Sequence, residues 1–340
     1  MTFKIIFSGQ LEFGTERSFE RMVELFAHRA ENYYRNVLLI KSEDIFKQET
    51  CTLEIPRLII AAATEKEWKN TINILEFVVD YAIAGGMSAW MINDGQVVKY
   101  RHLEPNSDKA AIQAFLHGRE LVKESGREEE AKKALSRAIE KFERHAKAYE
   151  RRGFVNYQLR NYKDAAYDYS KSIDINPLAA EPYLGRALVK MAQEDYRAAT
   201  ADLEQAIKGS IPLQPMHWQA RRIKAECHLK LEEYEKAAQE LKFVTRRGFS
   251  ADDPNFKWRK RALYNYGRSL LETGKFTEAV AAFDEAMKIT DSPIDIPDAE
   301  QLLYRGLALM KAGKTGFKKD WQEAASQGSK KAAELLQEAA

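Results

Sequence analysis

The sequence contains few of the residues that build disulfide frameworks and metal centres. Only two cysteines, Cys51 and Cys227, occur in 340 residues, and the six histidines form no pair at the spacing of a helical zinc site. Cys227 and His228 are adjacent on a predicted helix, where side chains point about 100° apart and cannot chelate one ion alone. We therefore predict no metal, no cofactor and a reducing, cytoplasmic setting.

Signatures of catalysis and of membrane insertion are also missing. Gly85-Gly86 lacks the Lys and Ser/Thr of a phosphate-binding loop, and neither Ser8 nor Ser88 lies in a nucleophile motif. No apolar run reaches the roughly 18 residues that a membrane helix needs. Residues 1–10 also lack the basic start and apolar run of a secretory signal. These absences favour a protein without catalytic residues and without a membrane partner.

Charge of one sign does not dominate either. The net charge is +2, with −3 in residues 1–105 and +5 in the remainder. This balance argues against nucleic acid as the main partner. Trp218, Phe256 and Trp258 lie among arginines and lysines, so single-stranded nucleic acid is kept as a less favoured alternative.

Residues 1–105 alternate between strand and helix patterns. We predict strands and helices at Phe3–Phe7 (strand), Ser18–Tyr34 (helix), Val37–Ile40 (strand), Thr52–Ala62 (strand), Glu65–Ala84 (helix), Ala89–Ile92 (strand) and Gln96–Tyr100 (strand). Ser18 is the expected cap of the first helix, and Gly85-Gly86 the expected end of the second. Asn93-Asp94-Gly95 predicts a hairpin turn, and Pro56 indicates a strand edge or a break. The order predicts a small α+β domain, with the ferredoxin-like fold as a candidate.

A different pattern begins beyond residue 105 and is clearest at Lys147–Leu178. Tyr149 and Gly153 are followed by Ala165, Tyr169 and Pro177. The spacing resembles the tetratricopeptide repeat, W-x2-L-G-x2-Y, then A-x3-F, then P. In that family a small residue on the first helix lets a bulky residue of the second helix approach closely.

The pattern recurs along the chain. Small residues open the second helices at Ala131, Ala165, Ala199, Ala237 and Ala279. They follow first-helix small residues at Gly118, Gly153, Ala187, Ala225 and Gly267. The bulky partners are Leu135, Tyr169, Leu203, Leu241 and Phe283. The position that holds Leu in the family instead carries His117, Arg152, Arg186, Lys224 and Tyr266.

The resemblance predicts a mostly α protein. We expect an α+β domain at 1–105, followed at 106–340 by an α-α superhelix of about six helix pairs. Predicted repeats lie near 111–145, 146–179, 180–213, 218–251, 260–293 and 299–328, the last one degenerate, with a capping helix at 329–340. Successive alanines are 34 residues apart until the connections Ile211–His217 and Gly248–Trp258 lengthen the spacing. These connections are either tolerated surface insertions or recognition loops.

The resemblance also implies function, namely binding of a peptide or partner protein in a concave groove lined by the first helices. The residues expected there are Lys147, Glu150, Phe154, Tyr157, Leu184, Leu188, Gln219, Arg222, Glu226, Arg261, Tyr264 and Arg268. Three of these are arginines, which suit a partner with acidic residues beside an apolar anchor. Pairing of the arginines with Glu226 and Glu272 is the competing interpretation.

A function in residues 1–104 stays open as an alternative. In that hypothesis the α+β domain is a small-ligand sensor or an enzyme, and the repeats regulate it. The sequence names neither a partner nor an oligomeric state.

Overall fold

The computed structural model describes residues 2–35, 37–294 and 296–339. They form two compact units, Met1–Val189 and Lys190–Ala340. The first unit contains the α+β region and the first helices, the boundary falls within the helix Glu181–Ala192, and the second unit contains the helices after it. In the part of the chain that is described, none of the helices is both long enough and apolar enough to cross a bilayer. A domain boundary at residue 105 stays a prediction.

The α+β region contains one antiparallel sheet with helices between its strands. Its elements are β1 (Phe3–Glu12), α1 (Glu16–Asn32), α2 (Ser42–Ile45), β2 (Phe46–Lys47), β3 (Thr52–Ala63), α3 (Glu65–Val79), β4 (Ala84–Asn93) and β5 (Gln96–Leu103). The sheet order is β2-β3-β1-β4-β5. The first four strands and their connecting helices follow the β-α-β-β-α-β order of the ferredoxin-like class, and β5 is added at the edge. The α+β prediction is confirmed.

Alternation along β1 explains which face of the sheet is covered. Ile5, Phe7 and Leu11 are buried in the same cluster as Phe19 of α1 and Leu75 of α3. Side chains alternate between the two faces of a strand, so these residues form the core face. Both connecting helices therefore pack on one side of the sheet.

Val37–Ile40 was wrongly predicted as a strand. The segment is irregular, and the backbone N–H of Leu39 donates to Thr71 Oγ1 at 2.9 Å. The carbonyl of Val37 accepts from Asn70 Nδ2 at 3.1 Å. Side chains of α3 thus satisfy the backbone groups that a neighbouring strand would have paired, and the apolar run packs without joining the sheet.

Two terminal assignments in this region also need correction. Thr15, not Ser18, caps α1, and Ser18 completes a capping box three residues later. Gly85-Gly86 lies inside β4, and α3 ends earlier, at Val79. Gly85 has φ +101°, and a side chain there would collide with the backbone of Gln10 on β1. The glycine pair therefore permits close strand approach and does not end a helix.

The turn and the proline were predicted correctly. Asp94 and Gly95 both have positive φ, 49° and 78°, as a two-residue hairpin turn between β4 and β5 requires. Opposite Pro56 the pairing of β1 with β3 shifts register between Phe7 and Gly9. The strand is therefore irregular where the proline lacks a donor.

The rest of the described chain is helical. Its helices are α4 (Ala110–Leu121), α5 (Glu128–Lys141), α6 (Ala146–Gln158), α7 (Tyr162–Ile175), α8 (Glu181–Ala192), α9 (Tyr196–Gly209), α10 (Pro215–Lys230), α11 (Tyr234–Arg246), α12 (Arg259–Glu272), α13 (Phe276–Met287), α14 (Asp298–Lys311), α15 (Phe317–Ser326) and α16 (Lys330–Glu338). A 3₁₀ turn at Phe256–Trp258 precedes α12. The predicted helix pairs and the short final helix are confirmed.

Small residues set the contact between the helices of a pair. A Cβ added to Gly118 would lie 2.7 Å from Leu135 Cγ, and one added to Gly267 would lie 2.9 Å from Phe283 Cε1. At Gly153 the same atom would meet the ring of Tyr169 at 3.1 Å. The predicted partners therefore touch at these three glycines.

Ion pairs explain why a position that holds Leu in the repeat family carries arginine here. Arg152 Nε and Nη2 donate to the two carboxylate oxygens of Asp168 at 3.0 and 2.7 Å. Arg305 holds Asp320 in the same way, with both distances 2.7 Å. In each pair the arginine lies on the first helix and the aspartate on the second. A two-point charge-assisted bond replaces an apolar contact.

Candidate functional site

The candidate site is the face of the first helices that is not used to pack against their own second helices. In the second unit this face includes Arg222 of α10 and Arg261 and Arg268 of α12. We call these three residues the arginine face. Arg261 is exposed, Arg268 is half-buried, and Arg222 is only 5% exposed.

Arg222 is held by a carboxylate and by an aromatic ring. Its Nη1 donates to Glu226 Oε1 at 2.6 Å, and its guanidinium carbon lies 3.7 Å from the ring centroid of Trp258. Burial lowers the pKa of Arg222, the carboxylate of Glu226 opposes this change, and the positive charge of Arg261 adds to it. Its buried Nε has no acceptor among the described residues. The predicted pairing with Glu226 occurs, yet it leaves one donor unmet.

Arg268 repeats this arrangement. Its guanidinium carbon lies 4.6 Å from the ring centroid of Tyr304, and its buried Nε also lacks an acceptor in the described part of the chain. Nearby, the hydroxyl of Tyr264 donates to Glu300 Oε1 at 2.5 Å. Burial and that carboxylate raise the pKa of Tyr264. Tyr264 and Glu300 therefore satisfy each other, whereas each of the two arginines retains an unmet N–H.

Trp258 reaches Arg222 because the long connection Gly248–Trp258 is folded. Asn255 is 5% exposed, and its Nδ2 donates to the carbonyl of Pro215 at 2.9 Å. Ser292 Oγ donates to the carbonyl of Lys257, also at 2.9 Å. These bonds fix the 3₁₀ turn that presents the Trp258 ring, so the connection forms part of the candidate site.

In the first unit, one segment of the chain already lies against the corresponding face. Nη1 of Arg119 on α4 is 2.6 and 2.7 Å from the two oxygens of Glu104. Pro105 and Glu104 line a small cleft together with Ile112 and Phe115 of α4. Contact with His102 and the hydrogen bond from Arg119 lower the pKa of Glu104 to about 2. The residues after β5 thus occupy the face of the first helix.

Two ionisable groups of α6 continue this face. Lys147 Nζ is 3.9 Å from Glu104 Oε2, and burial lowers the pKa of the Lys147 ammonium. Glu150 is 14% exposed and lies 3.1 Å from Arg151 Nε. Burial raises the pKa of Glu150 to about 7. Burial therefore favours the neutral form of both groups.

Family models described as "Tetratricopeptide repeat" match residues 110–180, 184–245 and 260–292. The helical region is a tetratricopeptide-repeat array. No curated protein matches the chain significantly by sequence. The matched ranges begin just after the sheet, so the family assignment concerns the repeats and not the α+β region.

Two solved repeat structures share the fold. YrrB, described as "a TPR protein with an unusual peptide-binding site", is 17% identical, with a TM-score of 0.52 over 60% of this chain and 98% of YrrB. PilF of Pseudomonas aeruginosa is 16% identical, with a TM-score of 0.51 over 68% of this chain and 98% of PilF. At these identities the likeness shows the fold alone.

The predicted groove residues differ in how available they are. Tyr264 and Leu184 are 4% and 8% exposed. Phe154 and Tyr157 pack partly against the core between α7 and α8, where Tyr169 and Val189 are buried. Leu188, Gln219 and Glu226 are half-buried. Of the twelve predicted residues, Arg261 is exposed and the others are buried or half-buried.

The sequence analysis missed Glu104 and Arg119, and it noted Trp258 only as an aromatic residue among basic ones. Aligning the repeats on their small residues would have found Arg119, because it follows Gly118 as Arg268 follows Gly267. Glu104 and Trp258 lie outside the repeat pattern, and no local signal marks them as contacts. Their roles depend on how the segments before α4 and α12 fold back.

Proposed function

We propose that the protein is a non-enzymatic scaffold that binds a peptide or a partner protein on the first-helix face of its repeats. The observation that supports this proposal most directly is Glu104-Pro105. This irregular segment lies on α4, and its carboxylate is held by Arg119. The first repeat thus accommodates an irregular segment with an acidic side chain.

The arginine face is the corresponding place for a partner chain. It combines an exposed cation, Arg261, with the aromatic rings of Trp258 and Tyr304 beside two further arginines. Arginine and aromatic residues contribute most of the energy in many interfaces. The face is therefore suited to a protein or peptide partner.

A charge reversal on the exposed arginine tests this function. Full-length wild type, Arg261→Glu and Arg246→Glu would be immobilised and exposed to native lysate. Arg246 is an exposed residue of a second helix, so it matches the change in charge away from the proposed face. We expect Arg261→Glu to lose partners that Arg246→Glu retains. Equal retention by all three proteins would contradict the proposal.

A second candidate function places chemistry in the α+β region. Ser88 Oγ lies 3.0 Å from His102 Nδ1, and His102 Nε2 lies 3.6 Å from Glu104 Oε2. Serine, histidine and carboxylate are the group types of a hydrolase relay, although Ser88 faces Nδ1 of His102 here, where the serine of the Ser-His-Asp triad faces Nε2. A fluorophosphonate probe tests this candidate: it requires labelling of wild type that is lost in Ser88→Ala. Absence of labelling in wild type would rule out this hydrolase function.

A further inference from the structure

Arg222 and Arg268 each contain a donor that the described chain does not use. The Nε atoms of both are buried and lack an acceptor, although Arg222 gives Nη1 to Glu226. Arg152 and Arg305 show the alternative arrangement, in which Nε and Nη2 together hold an aspartate. A buried donor without an acceptor destabilises the folded protein, so an acceptor that reaches it recovers this cost.

The position of Arg268 within its repeat indicates which acceptor fits. Arg268 follows Gly267 as Arg119 follows Gly118, and both glycines face the bulky residue of their second helix. Arg119 binds the side-chain carboxylate of Glu104. Arg268 at the equivalent position of the fifth repeat carries the same guanidinium group. Its buried Nε has no acceptor among the described residues, whereas Arg119 binds its carboxylate through Nη1.

Two arginines of the arginine face repel each other, although three nearby glutamates balance its formal charge. Its three arginines are accompanied by Glu226, which pairs with Arg222, and by Glu300, which accepts from Tyr264. Glu272 is exposed on the same helix as Arg268. Arg261 is exposed and close enough to lower the pKa of Arg222. An incoming carboxylate would offset this mutual repulsion.

We propose that the arginine face binds an aspartate or glutamate side chain from within a partner peptide, with a neighbouring apolar residue placed against Trp258 or Tyr304. The proposal rests on the proposed function and specifies its ligand. An internal side chain is chosen because the carboxylate on Arg119 is one, Glu104. The carboxylate of the peptide enters beside Arg268, because Arg268 is half-buried whereas Arg222 is nearly covered.

Three peptides test the proposal by calorimetry with the full-length protein. The first is acetyl-Ala-Glu-Leu-Glu-Leu-Ala-amide, the second replaces both glutamates with glutamine, and the third is the glutamine peptide with a free C-terminal carboxylate. We expect the glutamate peptide to bind about tenfold more tightly than either glutamine peptide, as one charge-assisted bond would give. Equal binding of the first two peptides, or preferred binding of the third, would overturn the proposal.

Substitutions of the arginines locate the site. Arg268→Lys keeps the charge but removes the Nε–H, so it should weaken binding of the glutamate peptide about tenfold. Arg222→Lys should act in the same direction, and Arg246→Lys is the matched control that should bind as wild type does. Circular dichroism checks the fold of each variant. If Arg222→Lys fails to fold, the half-buried Arg268 alone decides the outcome.

The proposal and the proposed function can fail separately. Suppose the glutamate peptide shows no preference while Arg261→Glu still loses native partners. The first-helix face then binds a partner by other contacts, and only the acidic ligand is wrong. If the glutamate peptide shows no preference and Arg261→Glu also retains every native partner, the scaffold function on this face is wrong as well.

Discussion

Arg119 and Arg268 occupy the same position in two repeats but differ in what they bind. Each follows a glycine that faces a bulky residue of the second helix, and each lies near an aromatic ring. Arg119 binds the carboxylate of Glu104 through Nη1, whereas the buried Nε of Arg268 has no acceptor in the described chain. The difference comes from the segments outside the repeats. A repeat position therefore supplies a donor, and the surrounding chain decides whether it is already used.

The largest expected effect tests the close helix packing that the first and fifth repeats share. Gly118→Leu and Gly267→Leu should each lower the free energy of unfolding by about 1–3 kcal/mol, because both overpack a helix contact. Gly248→Leu is the control, since nothing lies within 4 Å of its added Cβ and its φ is not positive. Denaturation midpoints provide the measurement.

The choice of control matters for this comparison. Gly126 lies in an open turn but has φ +87°, so a leucine there is strained for a backbone reason. If Gly248→Leu destabilises the protein as much as Gly118→Leu, the tight contact is not the cause. The two repeats would then lack the common packing on which the comparison depends.

The next prediction distinguishes the contribution of Arg119 to stability from that of Arg268. Glu104→Gln should lower the free energy of unfolding by about 2 kcal/mol, because it weakens a partly buried ion pair and leaves Arg119 and Lys147 with less compensation. Arg268→Gln removes a guanidinium whose buried Nε has no acceptor among the described residues, so it should lower stability less than Glu104→Gln does. Equal changes by urea denaturation would show that the arginines are equivalent.

Lowering the pH should destabilise the protein through the same carboxylate, that of Glu104. The pKa of Glu104 is lowered from 4.5 to about 2 in the folded protein, chiefly by His102 and Arg119. A lowered pKa contributes stability that is present above pH 4.5 and is lost as the pH falls towards 2. Wild type should therefore lose about 1–2 kcal/mol more than Glu104→Gln over that range. Parallel pH profiles of the two proteins would contradict this assignment.

Glu150 should show a smaller effect with the opposite sign. Burial raises its pKa to about 7, so the folded state loses stability as the pH rises from 4.5 to 7. Glu150→Gln removes this loss and should be about 1 kcal/mol more stable than wild type at pH 8. The two proteins should be alike at pH 4. Greater stability of wild type at pH 8 would mean that Arg151 or Lys147 compensates the charge.

The repeats could be predicted from the sequence because their packing is local and periodic. Gly153 and Tyr169 are on neighbouring helices of one pair, and the pattern repeats several times. Prediction was weaker where a contact joins distant segments. The burial of Val37–Ile40 depends on Thr71 and Asn70, more than thirty residues away. Such contacts leave no spacing pattern.

The candidate site divides in the same way. Arg222, Arg261 and Arg268 were predicted because helical spacing places them on one face of their helices, and their role in binding stays a prediction. Trp258 was noted only as an aromatic among basic residues, because its place over Arg222 depends on Asn255 and Ser292 fixing the turn. The sequence could identify the arginine donors. It could not identify which residues cover them or which of their N–H groups lack an acceptor.

The arginine side chains themselves provide the most direct test of the central claim. Nitrogen-15 NMR of the full-length protein would follow each Nε–H during titration with the blocked glutamate peptide. We predict saturable shifts at Arg222 and Arg268, and none at Arg152 and Arg305, whose Nε atoms already hold aspartates. Unchanged signals from Arg222 and Arg268, or equal shifts with the glutamine peptide, would contradict the account.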